Sequence, residues 1–173
     1  MFRAVFLLFL AVFAFGYDDL LLDAQASVVP KIAMLDKGIQ NKLIGGKLVV
    51  AVVHDPDEAD VAKEVVSKIT ANAKKNTTMS IKAVNVEFSQ LAKSEMSIIY
   101  ILPSSGVNVQ KAVNIAKQKG IASFVYDKSD LAYGAMLTLN IERSAVITLK
   151  RSALKDSGVS FVDSFYKIVR VVE

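Results

Sequence analysis

The fold of this chain is decided by the stretch KLVVAVV at residues 47–53, which is followed by HDPD at residues 54–57. An uninterrupted apolar run rich in valine is typical of a strand that is buried on both faces of a parallel sheet. The four residues after it are a turn signal that leads into a helix. The stretch therefore predicts a central strand whose carboxyl end lies at His54.

The residues that follow alternate between helical and strand patterns. Val61, Val65 and Ile69 recur every four residues and predict a helix from about residue 58 to residue 74. Apolar runs of strand length predict strands at residues 80–88, 96–102 and 122–126, and apolar residues at helical spacing predict a helix at residues 107–119. Segments 137–141 and 145–149 are close enough to pair as an antiparallel edge. The sequence thus predicts an α/β fold, a mostly parallel sheet with helices on both faces and an antiparallel edge near the C-terminus.

Two further helices are predicted at the ends of this core. Residues 20–43 have an amphipathic helical pattern, which we expect to be broken near Pro30. At the other end, Ser160 and Asp163 have the spacing of a capping box. They are followed by a helical stripe, which comprises Phe161, Phe165, Ile168, Val169 and Val172. This aromatic stripe is predicted to be core, with packing in a homodimer left open.

The N-terminus has the pattern of an export signal. Arg3 precedes a run of about a dozen apolar residues, which is shorter than the roughly 20 that span a bilayer. Small residues stand at Ala14 and Gly16, before a predicted cut at Tyr17. We therefore expect residues 1–16 to be a signal peptide, residues 17–173 to be a single α/β domain, and the protein to be periplasmic.

Composition restricts the chemistry. The 173 residues contain no cysteine and one histidine, which excludes disulfides, thiolate metal sites and cysteine nucleophiles. The formal net charge is +4, and the lysines are dispersed along the chain, so a nucleic-acid footprint is not visible. No nucleophile elbow, phosphate loop, dinucleotide fingerprint or zinc spacing is present. The sequence predicts neither catalytic residues nor a metal or cofactor.

The candidate ligand-binding residues follow two predicted strands. His54 comes at the end of the first strand, and Ser104, Ser105 and Gly106 come at the end of a later one. Ligands of open α/β sheets bind at that edge. Ser104 to Gly106 also begin a helix, where free N–H groups can hold an anion, although serine and glycine are equally ordinary residues in a helix cap.

The C-terminal third carries a resemblance to a known family. It combines a strand AVITL at residues 145–149, a turn SGV at 157–159 and an apolar segment containing Phe165 and Ile168. With the strand at residues 47–53, this resembles the YfiR-like family of bacterial periplasmic regulators. The resemblance implies a periplasmic protein that controls an inner-membrane signalling protein, of the diguanylate cyclase or sensor kinase type, through its periplasmic domain.

Two departures limit what this resemblance implies. Members of the family often carry cysteines that affect redox sensing, and this chain has none. Residues 39–46 also lack the aromatic-proline ending associated with the family, so no interface residue is carried over. The alternative is a small-molecule-binding module that resembles one lobe of a solute-binding protein. An enzyme, such as a periplasmic hydrolase using His54, is not favoured because the sequence shows no base and nucleophile pair.

Overall fold

A mostly parallel sheet forms around the valine-rich stretch at residues 47–53. The computed structural model describes residues 16–76, 79–155 and 157–173. Its strands run in the order β2-β1-β3-β4-β5-β6-β7. They are β1 (Leu48–His54), β2 (Ile81–Glu87), β3 (Ile98–Ile101), β4 (Ala122–Val125), β5 (Leu137–Ile141), β6 (Ala145–Lys150) and β7 (Val169–Val172). Neighbouring strands are parallel except β5 and β6, which are antiparallel.

Helices cover both faces of this sheet. They are α1 (Asp19–Met34), α2 (Ala59–Asn76), α3 (Gly106–Gln118) and the single turn α4 (Arg151–Leu154). Leu48, Val50 and Val52 of β1 pack with buried residues of α1 and α2, while the residues between them pack with α3 on the opposite face. Every residue of β1 is buried, as its uninterrupted apolar sequence predicts. The structure confirms the predicted α/β class, the helices on both faces and the antiparallel pair.

The prediction that the first helix breaks near Pro30 is wrong. Helix α1 continues through Pro30 to Met34. A proline inside a helix removes one backbone hydrogen bond, which is a local cost. Val29, Ile32 and Ala33 are buried on either side of it. The packing of this face against the sheet outweighs the missing bond.

The predicted C-terminal helix is also wrong. Phe161 forms an isolated antiparallel bridge with Asp36, and residues 169–172 form strand β7, which pairs in parallel with β6. The proposed capping box is absent, because Asp163 is exposed and pairs with Lys37 at 3.1 Å. Valine has a high strand propensity, and the free edge of β6 offers hydrogen bonds that the sequence pattern does not reveal.

The predicted signal peptide lies almost entirely outside the described residues, which begin at Gly16. Within the described residues, no helix is both long enough and apolar enough to cross a membrane.

Candidate functional site

The topology reverses between β1 and β3. Strand β2 lies on one side of β1 and β3 on the other, so the chain leaves β1 in one direction and returns on its opposite side. Ligands of open α/β sheets bind outside the carboxyl ends of the strands at such a reversal. In this chain the segments at that position follow His54 of β1 and Ile101 of β3.

Asp55 is the centre of a polar network at this edge. Its carboxylate accepts a hydrogen bond from the Ser104 hydroxyl and one from the Asn108 side-chain amide at 3.0 Å. The Asn108 amide also donates to Ser104 Oγ at 3.1 Å. Hydrogen bonds to a carboxylate are stronger than those between neutral groups. The network therefore fixes the loop after β3 and the first turn of α3 against the end of β1.

The four candidate ligand-binding residues have different positions. His54 is 2% exposed, and its Nδ1 lies 2.7 Å from the carbonyl oxygen of Asp55, to which it donates. Ser105 caps α3, since its hydroxyl accepts from the Asn108 backbone N–H at 3.3 Å. Only Ser104 and Gly106 of the four line a cavity at this edge of the sheet. Ligand contact by any of them stays a prediction.

Gly106 permits a close approach by an aromatic ring. A Cβ atom at residue 106 would lie 2.3 Å from Cζ and 2.4 Å from Cε1 of Tyr133. Non-bonded carbon atoms have their optimal separation at about 3.5–4.0 Å. The glycine at the start of α3 therefore lets the Tyr133 ring lie directly over the helix terminus.

Gly106→Ala should lower the unfolding free energy by about 1 kcal/mol in the wild-type background. This is at the low end of the range for overpacking, because Tyr133 is 44% exposed and its ring can turn outward. In a Tyr133→Ala background, the same substitution should be neutral or stabilise by up to about 1 kcal/mol, because alanine is the better helix former. Urea denaturation of the four proteins measures this coupling.

Gly38→Ala is the matched control, since a Cβ there would meet its nearest neighbours at 3.6 Å. Equal effects of Gly106→Ala in both backgrounds would show that Tyr133 does not occupy this space.

A cavity of about 800 Å³ opens at this edge of the sheet. It lies between the loop after β3, the segment after β4 and the residues before α1. Its polar and aromatic lining residues include Tyr17, Glu58, Ser104, Tyr126, Asp127, Ser129, Asp130 and Tyr133. This volume lies within the usual range for small-molecule pockets, about 300–1,000 Å³.

Two tyrosines form one wall of this cavity. The rings of Tyr17 and Tyr126 meet edge to face with centroids 5.1 Å apart, and the Tyr126 hydroxyl accepts from the Asp18 backbone N–H at 2.9 Å. Burial raises the pKa of the Tyr17 phenol, and the carboxylate of Glu58 raises that pKa further. The Tyr17 hydroxyl is nevertheless buried without a hydrogen bond of acceptable geometry to any described residue.

Asp130 is the most unusual group in the cavity. It lies in the 3-10 segment Lys128–Tyr133 and is only 6% exposed. No described residue forms a hydrogen bond or ion pair with its carboxylate, whereas the neighbouring Asp127 carboxylate accepts from the Ser129 N–H at 2.8 Å. Burial, together with the charge of Asp127, raises the pKa of Asp130 from 3.8 to about 6.

The cavity is acidic. Glu58, Asp127 and Asp130 line it, and no lysine or arginine is among the described residues that do so. In the described part of the chain, no group of three or more histidine, cysteine, aspartate or glutamate residues is close enough to share a metal ion.

Comparisons with known proteins show the fold. No protein-family model and no curated protein matches the chain. A solved structure of a conserved domain protein from Vibrio cholerae superposes with a TM-score of 0.60 at 12% identity, over 88% of this chain and 60% of that one. The ABC domain in complex with L-Trp from Streptococcus pneumoniae superposes with a TM-score of 0.54 at 12% identity, over 82% of this chain and 60% of that one. The chain thus spans about three fifths of each of these structures.

Sequence reasoning located the edge of the sheet and two residues of the cavity, Ser104 and Gly106, but missed the other lining residues. Tyr126 ends a predicted strand and Asp127 follows it, so the rule that selected His54 and Ser104 also applies to them. Tyr17 and Asp130 carry no comparable signal. They line the cavity because the residues before α1 and the segment after β4 meet there. Only the folded structure shows this meeting.

Proposed function

We propose that this protein is a small-molecule-binding module whose ligand occupies the cavity at the carboxyl edge of β1, β3 and β4. The observation that carries the proposal is Asp130, which is 6% exposed and has no hydrogen-bond donor from a described residue, inside a tyrosine-walled cavity of about 800 Å³. Pockets of this kind combine an apolar or aromatic lining with a few polar groups that orient the ligand. The likeness to a domain whose structure contains L-Trp supports this proposal through the fold alone.

Regulation of an inner-membrane signalling protein stays a prediction that rests on the resemblance to the YfiR-like family. The comparisons name no such relative and no membrane partner. A ligand-binding module and a regulator are compatible, since a bound molecule can bias an interaction with a partner. Binding at the cavity is the function that the described geometry supports.

The test is thermal unfolding of the purified chain with a set of amino acids, amines, sugars and carboxylic acids. A ligand present at 100 times its Kd adds about 2.7 kcal/mol to stability, which for a domain of this size raises Tm by about 5–10 °C. Ser129→Trp fills the cavity from an exposed lining position, so it should abolish the shift.

Ser67→Trp is the matched control, because Ser67 is exposed on α2 and does not line the cavity. It should keep the full shift. No shift with any compound, or a shift that survives in Ser129→Trp, would reject this binding site.

A further inference from the structure

We infer that the ligand of this cavity carries a protonated amine that pairs with Asp130, an inference that rests on the proposed binding function. Three features support it: the charge of the cavity, the state of Asp130 and the arrangement of the tyrosine rings.

The charge of the cavity favours a ligand of positive charge. Glu58, Asp127 and Asp130 are the charged groups on its described lining, and all three are acidic. The charge of Asp127 already raises the pKa of Asp130, which shows that negative charge is disfavoured at this part of the cavity. An anionic ligand would add to this repulsion, whereas a cation relieves it.

Asp130 identifies where the cation binds. A buried carboxylate normally has a paired charge or hydrogen-bond donors, because desolvation without them is costly. Asp127 has the Ser129 N–H, while Asp130 has no donor from any described residue and is 6% exposed. An ammonium group supplies the missing charge and up to three donors.

The tyrosines suit an organic cation. Tyr17, Tyr126 and Tyr133 line the same cavity, and cations are attracted to aromatic faces within about 6 Å of the ring centroid. The buried Tyr17 hydroxyl lies beside the Glu58 carboxylate, so this wall of the cavity also combines an aromatic ring with an acidic group. The rings also provide apolar surface for the carbon skeleton that bears the amine.

The experiment compares three probes of similar size: phenethylamine, 2-phenylethanol and phenylacetate, each titrated calorimetrically into the full chain. The amine should bind at least tenfold more tightly than the alcohol, and the carboxylate should show no binding.

Asp130→Asn keeps the shape of the side chain and should weaken amine binding at least tenfold at about pH 7.5, in the range of a lost charge-assisted bond. Asp163→Asn removes the same charge at an exposed position outside the cavity and should change affinity less than about twofold.

Amine binding should also depend on pH. Asp127 on the same segment is the charged group that acts on Asp130, Glu58 from the β1–α2 connection lines the same cavity, and Lys150 of β6 donates to the carbonyl of the adjacent Leu131. Protonation of Asp130 near pH 6 removes the partner of the amine, so wild-type affinity should be about tenfold lower at about pH 5 than at about pH 7.5. Asp130→Asn should lose most of this dependence.

The outcomes separate this inference from the proposed function. Equal or tighter binding of the alcohol or the carboxylate, lost in Ser129→Trp, would keep the cavity as a binding site and overturn the amine. Amine binding that is unchanged in Asp130→Asn would also overturn it. A thermal shift with calcium chloride alone, and none with phenethylamine, would assign the acidic groups to an inorganic cation. No shift with any compound of the broader set would reject the binding function itself.

Discussion

Asp130→Asn should raise the unfolding free energy of the ligand-free protein by about 2 kcal/mol at about pH 7.5 and leave it nearly unchanged at about pH 3.5. The folded-state pKa of about 6 lies above the ordinary value of 3.8, so the folded protein holds a proton that the unfolded chain releases. The stability due to this group is therefore fully present below about pH 4 and is lost as the pH rises through about 6. Asparagine mimics the neutral form at every pH. The difference in unfolding free energy between the variant and wild type should therefore grow as the pH rises from about 4 to about 6.

The size of this effect follows from the pKa difference. One pKa unit corresponds to about 1.4 kcal/mol, which sets an upper limit of about 3 kcal/mol, and screening by the water that reaches this carboxylate through the cavity lowers the figure to about 2 kcal/mol or less. Urea denaturation at a series of pH values measures it, with Asp163→Asn as the control whose exposed carboxylate should change stability by less than about 0.5 kcal/mol. A variant less stable than wild type at neutral pH would show that the carboxylate has a partner in the free protein.

This result would also have a functional meaning. Groups that bind ligands are often poorly solvated in the free protein, and replacing them stabilises the fold at the expense of activity. Asp130→Asn is thus expected to be more stable and to bind amines less well. Those two effects together are not expected from a residue with a purely structural role.

Phe165→Ala should have the largest effect on stability, a loss of about 3–5 kcal/mol. Phe165 is fully buried, and its ring packs against that of Phe161 with centroids 4.3 Å apart. Truncation leaves a cavity in the core beside α1 that the surrounding strands and helices cannot close completely.

Ile168→Ala is the matched comparison, because Ile168 is 63% exposed and should cost less than about 0.5 kcal/mol. A helix over this segment would place Phe165 and Ile168 on one buried stripe. Both substitutions would then be strongly destabilising. Chemical denaturation of the two variants therefore distinguishes the strand arrangement from the helix that the sequence pattern predicts. Comparable large losses in both would contradict the described C-terminal segment.

Polar groups inside the core show how much depends on long-range contacts. Gln25 is fully buried, where its amide donates to the carbonyl oxygens of Tyr126 and Leu139 at 3.0 and 2.7 Å. Its side-chain oxygen accepts from the Tyr100 hydroxyl at 2.5 Å. Each partner is at least 75 residues away in the sequence. In the helical pattern of α1 nothing distinguishes this glutamine from an exposed one.

The sequence by itself determined the elements whose burial pattern is local. The valine-rich run of β1 and the four-residue recurrence in α2 each report which faces are covered, because side chains follow the period of the backbone. Their order was enough to predict an α/β fold and to direct attention to the carboxyl edge of the sheet. These predictions were correct because each depends on residues that are close together in the chain.

Only the tertiary structure decided the remainder. Pro30 stays within a continuous helix because packing on the sheet outweighs one missing hydrogen bond, and residues 169–172 form a strand because the edge of β6 is available to them. Asp130 becomes a candidate binding group only because tertiary packing covers most of the residue and leaves its carboxylate without a donor from a described residue. Burial and pairing are properties of the whole fold, and a short stretch of sequence does not contain them.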